Sequence, residues 1–247
     1  MTALEFAVQD VAGARGACRV GADRVELCAA LGATGGLTAS IGTIEAVVAI
    51  GVPTHALIRC RAGGFGYLEP EEIAVMNADA RAAVSAGVAG LVVGALTPQR
   101  RVDVDTLRRV LEGVPVADIE LTFHRAIDVI DDRAAAVDTL VELGVTRVLT
   151  SGGAARCADG IAELTALVDH AAGRIQIMAG GGITVADLPA LHRAGVDAVH
   201  LSARRIVADD GGPGGGGTAG HDRFDEDVAF SVATGLRKLD LARRPRR

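Results

Sequence analysis

Apolar positions along the chain follow two alternating periods. One is helical: Val104, Leu107, Val110 and Leu111, then Val137, Leu140 and Val141, then Ile161, Leu164, Leu167 and Val168 each mark a single apolar face. Short apolar runs follow these segments, and a glycine stands between helix and run each time. The marking glycines are Gly21, Gly51, Gly87, Gly113, Gly144, Gly173 and Gly195, at intervals of roughly 30 residues, the length of one βαβ unit. Just past a helix end the left-handed backbone costs least without a Cβ, which explains their residue type. Helix starts are predicted by Asp103 and Asp159 at cap positions and by Thr184 with Asp187 as a capping box.

With a strand ahead of the first helix, the pattern predicts eight strands: Leu4 to Val8, Arg24 to Ala29, His55 to Arg61, Leu91 to Ala95, Glu120 to His124, Arg147 to Ser151, Ile175 to Ala179 and Ala198 to Ser202. A last helix is expected from Asp225 to Leu241. A doubly wound open sheet shares this alternation, but eight similar units without a second domain favour closure. The expected fold is a single parallel (β/α)8 TIM barrel, with all 247 residues in one domain. Ala208 to Arg223, carrying Gly-Gly-Pro-Gly-Gly-Gly-Gly, is predicted to be a flexible loop on the site-bearing face. The chain ends in a short basic tail, Arg-Arg-Pro-Arg-Arg.

Strand parity then sorts side chains, because the outer face of a barrel strand meets helices and must be apolar. Leu4 and Phe6 point out, leaving Glu5 and Ala7 inward; Val25 and Leu27 point out, leaving Glu26 and Cys28 inward. By the same rule Arg59 and Arg61, Thr122 and His124, and His200 and Ser202 turn inward. Glu26, Arg59, Arg61, His124 and His200 are therefore expected in one cavity. Burying several charges costs several kcal/mol each, so a barrel built only for stability would use Val, Ile and Leu there. Glu5, Glu26, His124 and His200 are the candidate catalytic residues. They also offer ligands to a hard divalent metal, though without a spacing motif. Gly152 and Gly153 after the sixth strand and Gly181 and Gly182 after the seventh offer backbone N–H groups to an anion, with Arg59, Arg61 and Ser202 as partners.

Composition narrows the partners. The formal net charge is −6 and only 2% of residues are aromatic, which argues against nucleic acid. No apolar stretch approaches a membrane span and the start is unlike a secretion signal, so a cytoplasmic location is expected; a homo-oligomer stays open. The four cysteines, Cys18, Cys28, Cys60 and Cys157, have no CxxC spacing. Lys238, the sole lysine, belongs to the last helix, which excludes a Schiff-base aldolase.

Five segments carry a family resemblance: Ala-Asp-Arg-Val-Glu-Leu-Cys-Ala (Ala22 to Ala29), Gly-Gly-Leu-Thr (Gly35 to Thr38), Thr-Phe-His-Arg-Ala (Thr122 to Ala126), Arg-Val-Leu-Thr-Ser-Gly (Arg147 to Gly152) and Ile-Met-Ala-Gly-Gly-Gly (Ile177 to Gly182). Together they resemble the CutC copper-homeostasis family as far as about Ser202. The resemblance implies the same barrel, a cytoplasmic location and a role in copper binding or trafficking, with Cys28 as the metal ligand and Met178 and histidines assisting. Where many members carry a Cys pair after the first-strand glutamate, this chain has Ala7 and Val8. Copper homeostasis is the function the resemblance implies. The residues alone point to an isomerase, epimerase or lyase acting on a small anionic, phosphorylated or carboxylated metabolite, with Glu5, Glu26 or His124 moving protons and Arg59 and Arg61 holding the anion.

Overall fold

The glycine-punctuated units close on themselves. A computed structural model describes residues 1–209 and 220–243. Its parallel strands are β1 (Ala3–Val8), β2 (Arg24–Leu27), β3 (Thr54–Leu57), β4 (Gly90–Val93), β5 (Glu120–Phe123), β6 (Arg147–Thr150), β7 (Gln176–Gly180) and β8 (Ala198–Leu201), hydrogen-bonded in that order into a closed barrel. The seam is β1 against β8, with Glu5 opposite His200. Helices α1 (Val11–Val20), α3 (Ile41–Val48), α4 (Pro70–Ser85), α5 (Val104–Val110), α6 (Arg133–Glu142), α7 (Ile161–Ala171), α8 (Leu188–Ala194) and α9 (Glu226–Arg243) form the outer layer, while the single turn α2 (Leu31–Thr34) sits in the loop after β2. All seven marking glycines have φ between 71° and 92°. Among the described residues no helix is long and apolar enough to cross a membrane.

The core lies between strands and helices, where Phe6, Val25, Leu27, Ile58, Leu91, Phe123, Val148 and Val199 are buried against the helical faces. Parity therefore holds within the paired strands used to place the site. The barrel interior is largely polar instead. Arg147, 1% exposed, donates from Nη2 to Glu120 Oε2 at 2.8 Å, from Nε to Gln176 Oε1 at 2.9 Å and from Nη1 to Thr122 Oγ1 at 3.2 Å. His55 Nε2 lies 3.4 Å from the same Glu120 oxygen. A Cβ at Gly90 would lie 2.8 Å from His55 Nε2, so this strand position is glycine to make room for the imidazole. Arg24 pairs with Glu5 and donates to Met178 Sδ at 3.2 Å. These residues form a charged floor beneath the strand ends.

Three expectations need correction. Asp159 caps no helix: it falls in a 3-10 turn, Cys157–Gly160, and α7 starts from Gly160 without a side-chain cap. Asp103 and the Thr184–Asp187 box do cap as expected. His221 to Arg223, expected in a flexible loop, belong to β10 (His221–Phe224), which pairs antiparallel with β9 (Arg204–Val207) because Arg204 bonds Asp222 across the ribbon and Phe224 packs edge-on against Phe6. The rest of that loop, 210–219, and the tail at 244–247 lie outside the described residues. The third strand ends at Leu57 rather than Arg61, with consequences for both arginines.

Candidate active site

A cavity of about 850 Å³ opens at the carboxyl ends of the strands. Seven of the expected residues line it: Glu26, Arg59, His124, Gly181, Gly182, His200 and Ser202. Glu5 sits directly below, fully buried.

Glu26 lines this cavity. It lies in β2 one residue before the strand's end, and its Oε2 is buried without a hydrogen-bond partner, 4.0 Å from His200 Nδ1. Burial pushes its carboxyl up to about 7, the Glu5 charge adding to the effect and the His200 charge opposing it. His200 donates from Nδ1 to Glu5 Oε1 at 2.7 Å. Burial works to lower the His200 pKa, but the Glu5 hydrogen bond and the charges of Glu26 and Glu5 outweigh it and raise it. Burial likewise works against an ionised Glu5, yet the His200 hydrogen bond and the charges of His200, Arg24 and His55 hold that carboxyl well below the usual range. The triad thus combines a carboxylate held ionised, an imidazole drawn toward its charged form and a carboxyl raised toward neutral pH. Ligand atoms of Glu5, Glu26 and His200 lie within 4.8 Å of one another, a spacing a divalent cation could bridge, but the Arg24 guanidinium already supplies positive charge at Glu5. His124 stands apart from this cluster.

His124 follows β5 and accepts a hydrogen bond at Nδ1 from the Ala126 N–H at 3.2 Å, which leaves the ring proton on Nε2. Nε2 is buried and has no partner. Burial and the neighbouring Arg59 charge push His124 down to about 3, so it presents a neutral N–H donor. Its ring lies against Phe65, centroids 4.8 Å apart, and fits only because position 94 is glycine: a Cβ there would lie 2.2 Å from the ring.

The arginines divide. Arg59 faces the cavity, but Nη1 donates to the carbonyls of Thr34 and Gly36 and Nη2 to that of Gly63, so it offers charge more than free donors. Arg61 does not line the cavity. With the strand ended at Leu57, parity no longer governs it, and it folds outward to pair with Glu72 and lie over Tyr67. Arg125 lines the cavity instead, donating from Nε to Asp128 at 2.7 Å and from Nη2 to Ser151 Oγ at 2.8 Å. Gly181 lets Arg125 lie alongside it, a Cβ there being 3.2 Å from Arg125 Nη1.

Gly152 and Gly153 also fall outside the cavity lining. Asp128 already fills their turn: its Oδ1 accepts from Ser151 N–H at 3.0 Å, Gly153 N–H at 3.1 Å and Thr150 Oγ1 at 2.6 Å. An internal carboxylate occupies the nest expected to hold an external anion. Cys28 is inward, as parity requires, but sealed. Its thiol is enclosed by Leu31, Leu57 and Val92, with Val8 O at 3.9 Å, and burial and the Glu26 charge push its pKa up. Alkylation of the native protein near neutral pH is therefore expected to modify exposed Cys18 and spare Cys28 and Cys157. Rapid loss of the Cys28 thiol would contradict this enclosure. Arg125, Asp128 and Phe65 were missed in the sequence, although Arg125 stands inside the Thr122 to Ala126 motif.

The CutC family model matches residues 2–205. A CutC family protein of Klebsiella pneumoniae (strain 342) is 42% identical over 212 residues, covering 85% of this chain and 83% of that protein. One from Rhizobium meliloti (strain 1021) is 44% identical over 200 residues, covering 81% and 80%. A crystal structure of CutC from Streptococcus agalactiae, a protein named for copper homeostasis, superimposes with a TM-score of 0.76 at 32% identity, over 82% of this chain and 99% of that one. The chain belongs to the CutC family.

Proposed function

We propose that this protein is an enzyme that transfers a proton at a carbon next to a carbonyl of a small carboxylate- or phosphate-bearing metabolite, an isomerase, epimerase or lyase in reaction type. The observation that carries this reading is the pairing, in one cavity, of a carboxyl raised to about 7 at Glu26 with an unpartnered neutral N–H donor at His124 Nε2. A base near neutrality takes the proton, and a neutral N–H donor stabilises the oxyanion that forms. His200, held by Glu5, keeps positive charge beside Glu26 and favours its ionised form when the substrate binds. Arg125 Nη1 and the Arg59 charge hold the anionic end. The cavity volume suits a small metabolite.

Copper handling, the role implied by the family name, finds a poor donor set here. Copper(I) wants thiolate and thioether ligands, and Cys28 is a sealed neutral thiol, while Met178 Sδ accepts from Arg24 in a separate cluster with Leu149 and Ala198.

The test is solvent exchange. A panel of 2-oxo acids and phosphorylated keto compounds is incubated with the protein in deuterium oxide and read by NMR. One compound class is expected to gain deuterium beside its carbonyl with the wild type, and about 10²-fold or more slowly with His124→Ala. Absence of exchange across the panel, together with stoichiometric copper(I) binding that Cys28→Ser abolishes, would return the protein to copper.

A further inference from the structure

Away from the cavity, α1 and the β9–β10 hairpin enclose a second concavity of about 510 Å³. Four arginines line it, Arg15 and Arg19 from α1 and Arg205 and Arg223 from the hairpin. This is unexpected in a chain of net charge −6. Arg205 and Arg223 are direct cross-strand partners, so their side chains leave the ribbon on the same face. Like charges placed opposite destabilise a strand pair, and Arg15 with Arg19, four residues apart on one helix face, repeats the conflict. Two carboxylates reach the groove, but both are committed: Asp10 caps α1 through the Gly13 N–H at 2.6 Å, and Glu226 pairs with Arg19. Among the described residues Arg15, Arg205 and Arg223 have no ion-pair or side-chain hydrogen-bond partner. A fold that tolerates this repulsion gains when an anion with several charged oxygens bridges the three guanidinium groups.

We propose that this groove binds a phosphate-bearing small anion, held by Arg15, Arg205 and Arg223. The concave shape and volume fit a small molecule rather than an extended polymer, and Phe224 supplies an apolar wall. The site is distinct from the candidate active site, because the opposite face of the same hairpin, Arg204 and Ile206, lines the large cavity. An anion in the groove relieves the repulsion that loosens the ribbon and so fixes one wall of that cavity.

The experiment is calorimetric titration of the full chain with tripolyphosphate at low and moderate salt. Binding with a dissociation constant of about 1 mM or tighter is expected, weakening as salt rises. The double variant Arg205→Gln, Arg223→Gln should weaken it about tenfold or more and, in the absence of anion, should melt at a higher temperature than the wild type because the repulsion is gone. Arg125→Ala should leave tripolyphosphate affinity unchanged. If tripolyphosphate does not bind, binds equally well to the double variant, or binds less well than single-stranded RNA, the proposal fails. If Arg125→Ala alone removes binding, the anion sits in the cavity; the proposal then fails while the reading of the cavity stands.

Discussion

Glu26→Gln is expected to abolish turnover and, at pH 8, to make the folded protein more stable. On the proposed reaction, the catalytic loss follows from removing a cavity carboxyl raised to about 7, about 10²- to 10⁴-fold for a general acid–base group. The stability gain follows from the sign of the same shift. Unfolded, Glu26 ionises near 4.5; folded, it does so near 7. Between those values the native state holds a proton that the unfolded chain has released, so stability falls as pH rises through this window, and the full cost is present above it. Glutamine, neutral throughout, avoids the cost. A shift of this size corresponds to roughly 3 kcal/mol at most, recovered at pH 8 and absent near pH 4. Urea unfolding of both proteins across that range measures it. A variant equally stabilised at both pH values would show that Glu26 ionisation is not the source.

The second large effect lies one layer below. Glu5→Leu leaves the Arg24 guanidinium and the His200 imidazolium buried without the carboxylate that faces both. Removing one partner of a buried pair typically costs about 3–5 kcal/mol, more than any surface change in this protein should. Replacing both partners, Glu5→Leu with Arg24→Met, should recover much of that loss, since an apolar pair of similar volume carries no desolvation penalty. Equilibrium unfolding of the two singles and the double gives the coupling. Additive losses would mean that the floor is not a paired network.

Much of this was legible in the sequence. The seven glycines marked the junctions because a helix end needs a left-handed residue wherever the fold places it. Glu26, His124 and His200 were found because parity is a local property, fixed once the outward-facing Val25, Phe123 and Val199 are known. Arg61 was misplaced because parity stops where the ladder stops, and nothing in His55 to Arg61 signals that β3 ends at Leu57. Gly152 and Gly153 kept their turn geometry but lost the expected role to Asp128, a partner distant in sequence that no spacing rule connects to them. Arg24 and Arg147 begin their strands and were not singled out, although the parity that turned Glu26 inward also applies to Arg24.

The bond between His200 and Glu5 crosses the seam where the first strand meets the last. Every other neighbouring pair in the ring is joined by a single strand-to-strand connection, whereas this pair unites the two ends of the barrel. During synthesis Glu5 leaves the ribosome long before His200, so Glu5 lacks this partner until β8 docks. The contact that joins the two ends of the ring thus comes into being only in the step that closes it.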